Sequence, residues 1–150
     1  CNNYPIGIGP NFVASGKFNT DEYPDFVATS HQTSSFAVAL NNGNGTFPLP
    51  TSIATAFPST HVLVADWDGD LIDDIAVLTQ NSFSSSIVSM NIYMNNGSGT
   101  FSPGAVYPGL GKSHAFAAAD FDADLIADIL FFDNNTDNLI FMKGNGDGTF

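Results

Sequence analysis

The chain has 150 residues, of which 43% are hydrophobic and 13% aromatic, so it carries enough apolar material for one globular core or a short repeat array. The chain has fifteen acidic residues and only three lysines, which gives a net charge of −12. Because this charge repels phosphate groups, nucleic acid and anionic membranes are poor partners. No apolar run reaches the ~18 residues that cross a bilayer, so membrane insertion is not expected.

A six-residue string, Asn-Gly-x-Gly-Thr-Phe, occurs three times and is called the closer turn below. It occupies residues 42–47, 96–101 and 145–150. Each closer turn is preceded at a distance by an aromatic-Pro pair, which begins at Tyr4, Phe57 and Tyr107. These landmarks predict one continuous repeat array of three units, 1–50, 51–104 and 105–150.

Each unit contains an apolar run, an acidic loop and a second apolar run, which together predict a hairpin. In chain order the runs are residues 12–14 and 26–28, then 62–65 and 75–78, then 116–119 and 129–132. A third strand follows from period-two alternation in residues 88–94, and Phe36, Val38 and Leu40 repeat the pattern in the first unit. The closer-turn glycines supply positive φ, and the Thr-Phe after them begins a fourth strand.

Four strands in about 50 residues is the size of one propeller blade. The sequence therefore predicts an all-β chain of three consecutive four-stranded antiparallel β-propeller-type blades. Three blades are fewer than the ~4 to 8 that close a ring. We expect the chain to belong to a larger propeller or repeat assembly, completed by further blades of the same protein or by other copies.

Most of the acidic residues fall in nine-residue loops between the first two strands of a unit. Positions 1, 3, 5 and 9 are Asp66, Asp68, Asp70 and Asp74 in the second unit and Asp120, Asp122, Asp124 and Asp128 in the third. Carboxylates that converge in a tight turn repel one another unless a cation binds them. Calcium fits best, because it accepts about six to eight oxygen ligands at flexible geometry. Position 7 would add a backbone carbonyl, from Ile72 and Ile126.

The first unit departs from this pattern. Aligned on Asp25 at position 9, it has Lys17 at position 1, Asn19 at position 3 and Asp21 at position 5. The Lys17 ammonium is expected to replace the charge of a metal ion. The sequence therefore predicts two calcium sites, in the second and third units, and a metal-free loop in the first.

Three features of the sequence resemble FG-GAP or VCBS repeats. They are the loops Asp-Trp-Asp-Gly-Asp at 66–70 and Asp-Phe-Asp-Ala-Asp at 120–124, the Asp-Ile pairs at 74–75 and 128–129, and the closer turns. Such repeats build the propellers of integrin α-subunits, fungal lectins and many secreted proteins. The resemblance implies that the loop aspartates bind calcium on one rim. An affinity on the order of 0.1 to 1 mM is expected, as for extracellular calcium-binding modules in general. The family usually has glycine at position 6, where this chain has Leu71 and Leu125. A left-handed non-glycine residue there costs roughly 1 to 2 kcal/mol.

Several other residues invite functional interpretations. Asn44, Asn96 and Asn134 begin glycosylation sequons, although turn geometry alone explains the first two. Trp67 is predicted to pack, because Phe18 and Phe121 hold the same loop position. His31, His61 and His114 are interpreted as ordinary loop or strand-end residues, and the serine-rich stretch 82–86 as a loop between strands. Cys1 is either an incidental thiol or an intermolecular bridge.

The function expected is that of an extracellular or cell-surface structural or adhesion module that binds calcium, as in a filament or large surface protein. Its partners would be other copies or further blades, and glycans or matrix and surface proteins. The alternative is a carbohydrate-binding, lectin-type propeller with sugar pockets between blades. An enzyme is not expected, because the sequence has no triad or phosphate-loop signal and its paired carboxylates lie in the metal loops.

Overall fold

The computed structural model describes residues 2–80, 88–111 and 115–150. Within these ranges the regular structure consists of strands arranged in three antiparallel sheets. The same residues contain no helix long and apolar enough to cross a membrane. The interpretations of Cys1, His114 and the stretch 82–86 lie outside the described residues.

The sheets follow one another along the chain, each with its strands in sequential antiparallel order. Sheet 1 comprises β1 (Pro10–Gly16), β2 (Asp25–Ser30), β3 (Ser35–Ala39) and β4 (Thr51–Ala54). Sheet 2 comprises β5 (Ser59–Ala65), β6 (Asp74–Gln80), β7 (Val88–Asn95) and β8 (Phe101–Tyr107). Sheet 3 comprises β9 (Phe116–Ala119), β10 (Asp128–Asp133) and β11 (Asn138–Met142).

The predicted hairpins and third strands are confirmed, but the expectation of three four-stranded blades holds only in part. The sheets have four, four and three strands, and the described residues form no closed propeller. In sheet 2 the fourth strand begins at Phe101, whose equivalent in the third unit is Phe150, the last residue of the sequence.

Sheet 1 extends one strand beyond the predicted unit 1–50. The fourth strand of the sheet, β4, begins at Thr51, four residues after the phenylalanine of the closer turn. Pro48 and Pro50 lie between them, and proline has no backbone N–H to donate to a sheet ladder. The strand therefore starts only after the second proline and pairs back onto β3.

The closer turns have the backbone geometry that the sequence predicts. Both glycines of each turn have positive φ, between 73° and 80°. In every turn the N–H of the first asparagine donates to the threonine carbonyl, at 2.9 to 3.1 Å. The opening tyrosines hold two of the turns in place, because the hydroxyls of Tyr4 and Tyr107 accept the N–H of Phe47 and Phe150.

The core lies between successive sheets. One cluster joins sheets 1 and 2 through buried residues of both units: Phe18, Val27, Phe36, Val38, Val62, Ile75, Val77 and Tyr93. The other joins sheets 2 and 3: Trp67, Ala76, Met90, Ile92, Ile129 and Phe131. Because odd- and even-numbered residues of β6 face different clusters, sheet 2 is buried on both faces. Each large buried side chain contributes about 1.5 to 3 kcal/mol, so the stack of sheets stabilises all three acidic loops.

Candidate metal centres

The second acidic loop, residues 66–74 and called loop 2, brings three of its four aspartates together. Carboxylate oxygens of Asp66, Asp68 and Asp74 lie within 4.8 Å of one another. The Asp66 carboxylate also accepts the N–H groups of Gly69, at 2.7 Å, and Leu71, at 2.9 Å, which curls the loop around it. Asp70 lies outside this group of three and accepts the N–H of Ile72 at 2.8 Å.

Loop 3, residues 120–128, repeats this arrangement with a different trio. Carboxylate oxygens of Asp120, Asp122 and Asp124 lie within 4.8 Å of one another, and Asp128 is not in the group. Asp120 accepts the N–H of Asp124 at 3.2 Å and of Leu125 at 2.9 Å, much as Asp66 does in loop 2. The N–H of Ile126 donates to Asp124 at 2.9 Å. The use of the Ile72 and Ile126 carbonyls as ligands stays a prediction.

Both loops keep a left-handed residue at position 6 although glycine is missing there. Leu71 has φ 69° and Leu125 has φ 70°. Loop 3 is strained at position 4 as well, where Ala123 has φ 64° and its equivalent in loop 2 is Gly69. Each such residue costs roughly 1 to 2 kcal/mol, so loop 3 folds at a greater local cost than loop 2.

The aspartate at position 9 has a structural role that the sequence analysis missed. Asp25, Asp74 and Asp128 are at most 1% exposed. One carboxylate oxygen accepts the N–H of loop position 2, and the other accepts the N–H of the residue just before the closer turn. The six donors are Phe18 and Asn41, Trp67 and Asn95, and Phe121 and Gly144, at 2.7 to 3.1 Å. The position-9 carboxylate therefore clamps the acidic loop to the closer turn in all three units.

Burial and neighbouring charges raise the pKa of two carboxyl groups of loop 2, Asp68 and Asp74. Burial is the largest effect on Asp74 and raises its pKa to about 6, with smaller contributions from the charges of Asp68 and Asp70. The N–H groups of Asn95 and Trp67 act in the opposite direction. The pKa of Asp68 is also raised, mainly by desolvation. A bound cation would offset this repulsion.

In loop 3 a lysine from another element occupies the carboxylate cluster. The Lys143 ammonium, just beyond the end of β11, donates to Asp122 and, at 2.7 Å, to Asp124. These bonds raise the pKa of Lys143, and the hydrogen bond from Lys143 lowers that of Asp124. The pair is exposed, so its contribution to stability is small. The equivalent residues in the other units, Leu40 and Met94, are uncharged.

Loop 1, residues 17–25, lacks the acidic trio. The Lys17 ammonium, expected among the ligand positions, lies 3.7 Å from the carboxylate of Glu22 at position 6. The side chains at positions 3 and 5 bond to each other, since the Asn19 amide donates to Asp21 at 2.8 Å. Loop 1 also differs in its backbone, because Thr20 and Glu22 at positions 4 and 6 do not have the positive φ found at these positions in loops 2 and 3. Its metal-free state stays a prediction.

The packing role predicted for Trp67 is confirmed. Its side chain is 1% exposed, and its ring lies 5.8 Å from that of Phe150. The Nδ1–H of His31 donates a hydrogen bond to the Gly9 carbonyl, at 2.7 Å, and His61 packs between two phenylalanine rings. The asparagines of the three sequons, Asn44, Asn96 and Asn134, are exposed.

The chain matches the model of the FG-GAP-like repeat twice, over residues 17–77 and 72–131. The first match begins at loop 1 and ends in the strand after loop 2, and the second ends in the strand after loop 3. No curated protein matches the chain. Since the two matches together run from residue 17 to residue 131 and include all three acidic loops, the chain belongs to the FG-GAP-like repeat family.

Proposed function

We propose that the chain is a calcium-binding structural or adhesion module that acts outside the cell, with one ion in loop 2 and one in loop 3. The observation that carries the proposal is that three carboxylates converge within 4.8 Å in each of two loops, at positions 1, 3 and 9 of loop 2 and at positions 1, 3 and 5 of loop 3. Such groups repel one another without a cation, and oxygen-only sites favour calcium or magnesium.

In loop 2 the ion would be held by Asp66, Asp68 and Asp74, with Asp70 and the Ile72 carbonyl completing the shell. The carboxylate-rich loop suits calcium, which accepts flexible coordination geometry, better than magnesium, which demands a near-ideal octahedron. In loop 3 the corresponding ligands would be Asp120, Asp122, Asp124 and Asp128, with the Ile126 carbonyl. An affinity on the order of 0.1 to 1 mM is useful only where calcium is abundant, which favours an extracellular role.

The rest of the molecule agrees with a binding module. Exposed Asn44, Asn96 and Asn134 offer glycan acceptor sites in turns. The groove between sheets 1 and 2 is chiefly apolar, and Leu40, Leu49 and Phe101 are among the residues that line it. Because such a groove offers few polar groups to a sugar, sugar binding is not part of the proposal. Catalysis is not part of it either, because the clustered carboxylates are assigned to the ions.

Trp67 allows loop 2 to be tested alone, since it is the single tryptophan of the chain and occupies position 2 of that loop. We expect calcium to change its fluorescence with saturation on the order of 0.1 to 1 mM. Asp68→Ala should abolish the change, because it removes one of the clustered carboxylates. Asp122→Ala, the matched change in loop 3, should leave the Trp67 titration as in the wild type. A flat titration of the wild type would contradict calcium binding in loop 2.

Lys143→Met should raise the calcium affinity of loop 3 several-fold. The substitution introduces the residue that unit 2 carries at this place, Met94, and removes the ammonium that competes with the ion for Asp122 and Asp124. Calorimetric titration should show the tighter site, while the Trp67 signal from loop 2 stays unchanged. Lys143→Arg keeps the positive charge and serves as the control. If the methionine and arginine variants bind calcium alike, the ammonium does not compete.

A further inference from the structure

Loops 1 and 2 are joined by a pair of hydrogen bonds at Asp73, which is position 8 of loop 2. The Asp73 carboxylate accepts the N–H of Lys17 at 2.7 Å, and the N–H of Asp73 donates to the Lys17 carbonyl at 2.9 Å. Asp73 therefore binds both backbone groups of the first residue of loop 1. Its equivalent in loop 3 is Ala127, which has no carboxylate, and no hydrogen bond joins residues 66–74 to residues 120–128.

Asn95 adds a third connection between loops 1 and 2. Its side chain is buried, and the side-chain amide donates to the Phe18 carbonyl in loop 1 and to the Asp73 carbonyl in loop 2, both at 3.0 Å. The equivalent residue in unit 3 is Gly144, where a Cβ would collide with the Ala127 carbonyl oxygen. The connection through Asn95 is therefore a property of unit 2 that unit 3 has no room to reproduce.

Loop 1 is held in place by hydrogen bonds between its own residues. Asn19 and Asp21 exchange two of them, since the Asn19 amide donates to the Asp21 carboxylate at 2.8 Å and the Asp21 N–H donates to the Asn19 side-chain oxygen at 2.9 Å. The Phe18 N–H donates to Asp25, at 2.9 Å. These bonds use only groups of the chain, so loop 1 can present the Lys17 backbone as a fixed anchor without a metal ion.

The bond from Asp73 to Lys17 orients a group that loop 2 is predicted to offer to calcium. The Asp73 N–H and the Ile72 carbonyl belong to one peptide unit, which is planar and trans, so the two groups point in opposite directions. Because the N–H points to loop 1, the Ile72 carbonyl is held pointing away from loop 1. Position 8 also precedes Asp74, one of the clustered carboxylates. Fixing Asp73 therefore restricts the predicted ligands on both sides of it.

We propose that loop 1, which lacks the acidic trio, braces the calcium site of loop 2, with Asp73 as the residue that positions this site. The inference rests on the calcium site proposed for loop 2. Ligands that are held in place before the ion arrives bind it more tightly, because less conformational freedom is lost on binding. Loop 3 has no such brace and carries Lys143 in its cluster, so loop 2 should be the tighter site.

Calcium titration of the Trp67 fluorescence tests the role of Asp73. Asp73→Ala introduces the residue of loop 3 and should weaken calcium binding in loop 2 by about two- to tenfold, the equivalent of one net hydrogen bond. Asp73→Asn removes the negative charge but keeps an oxygen that can accept the Lys17 N–H. Its affinity should therefore be closer to that of the wild type than to that of Asp73→Ala.

Two outcomes of this titration would overturn the brace and leave the calcium site standing. One is equal affinity of the wild type and Asp73→Ala. The other is binding by Asp73→Asn that is as weak as binding by Asp73→Ala, because Asp73 would then act through its charge alone. A flat titration of the wild type would contradict the calcium site itself, and the brace with it.

Hydrogen exchange of the Lys17 N–H is the second readout, since coupling between two sites acts in both directions. Calcium should slow this exchange in the wild type and in Asp122→Ala, which keeps the ion in loop 2. Asp68→Ala should lose most of the effect, although it keeps an ion in loop 3 and the general stabilisation that this ion gives. Equal slowing in the two variants, or none in a wild type that binds calcium in loop 2, would overturn the proposal.

Discussion

Asp74→Ala is expected to lower the free energy of unfolding by about 2 to 6 kcal/mol, even without calcium. The substitution leaves the buried N–H groups of Trp67 and Asn95 without their acceptor, and each unsatisfied group costs about 1 to 3 kcal/mol. The substitution also removes the hydrogen bonds that connect loop 2 to the closer turn after β7. Urea denaturation in the presence of a chelator measures the loss.

Two matched variants separate this clamp from metal binding. Asp25→Ala removes the same two bonds from unit 1, where no ion is expected, and should cost a similar amount. Asp68→Ala removes an exposed carboxylate of the cluster and should change the calcium-free stability little. If Asp74→Ala is no more harmful than Asp68→Ala in calcium-free solution, the clamp is not a main support of the fold.

Calcium should raise the stability of the wild type substantially. A ligand that binds only the folded state at ten times its dissociation constant contributes about 1.4 kcal/mol per site, so two sites give about 3 kcal/mol. The shift in the urea midpoint between excess calcium and chelator measures it. Magnesium at the same concentration should have a smaller effect, because it demands a near-ideal octahedron and loses its water reluctantly.

The double variant Asp68→Ala/Asp122→Ala is the control for this experiment. It removes one clustered carboxylate from each loop and keeps every position-9 clamp. Its calcium-free stability should resemble that of the wild type, and calcium should add little to it. Equal stabilisation of the wild type and the double variant by calcium would mean that the ion acts elsewhere on the acidic surface.

The strands and loops could be predicted because their signals are local and occur more than once. Alternation in residues 88–94 predicted β7, and the closer-turn glycines predicted the tight turns. Leucine at position 6 is a departure from the glycine of the family pattern, and the structure shows that Leu71 and Leu125 keep the left-handed conformation there. The number of strands in sheet 3 was predicted wrongly by extending the repeat: the fourth strand of sheet 2 begins at the closer-turn phenylalanine, Phe101, and the equivalent residue of unit 3 is Phe150.

The position-9 clamp and Lys143 could not be predicted, because each depends on contacts between distant segments. The Asp74 carboxylate joins donors 7 and 21 residues away, and Lys143 reaches carboxylates 19 and 21 residues earlier. One signal for the clamp was present. Asp25 remains at position 9 in unit 1 although Lys17 replaces the aspartate at position 1, which indicates a role independent of the metal.

The number of calcium ions bound per chain tests the central claim most directly, and calorimetry or native mass spectrometry can count them. We predict two for the wild type and one for either Asp68→Ala or Asp122→Ala. A third ion would mean that loop 1 binds calcium despite Lys17. A chain that binds none in excess calcium would contradict the assignment of both acidic clusters as metal centres.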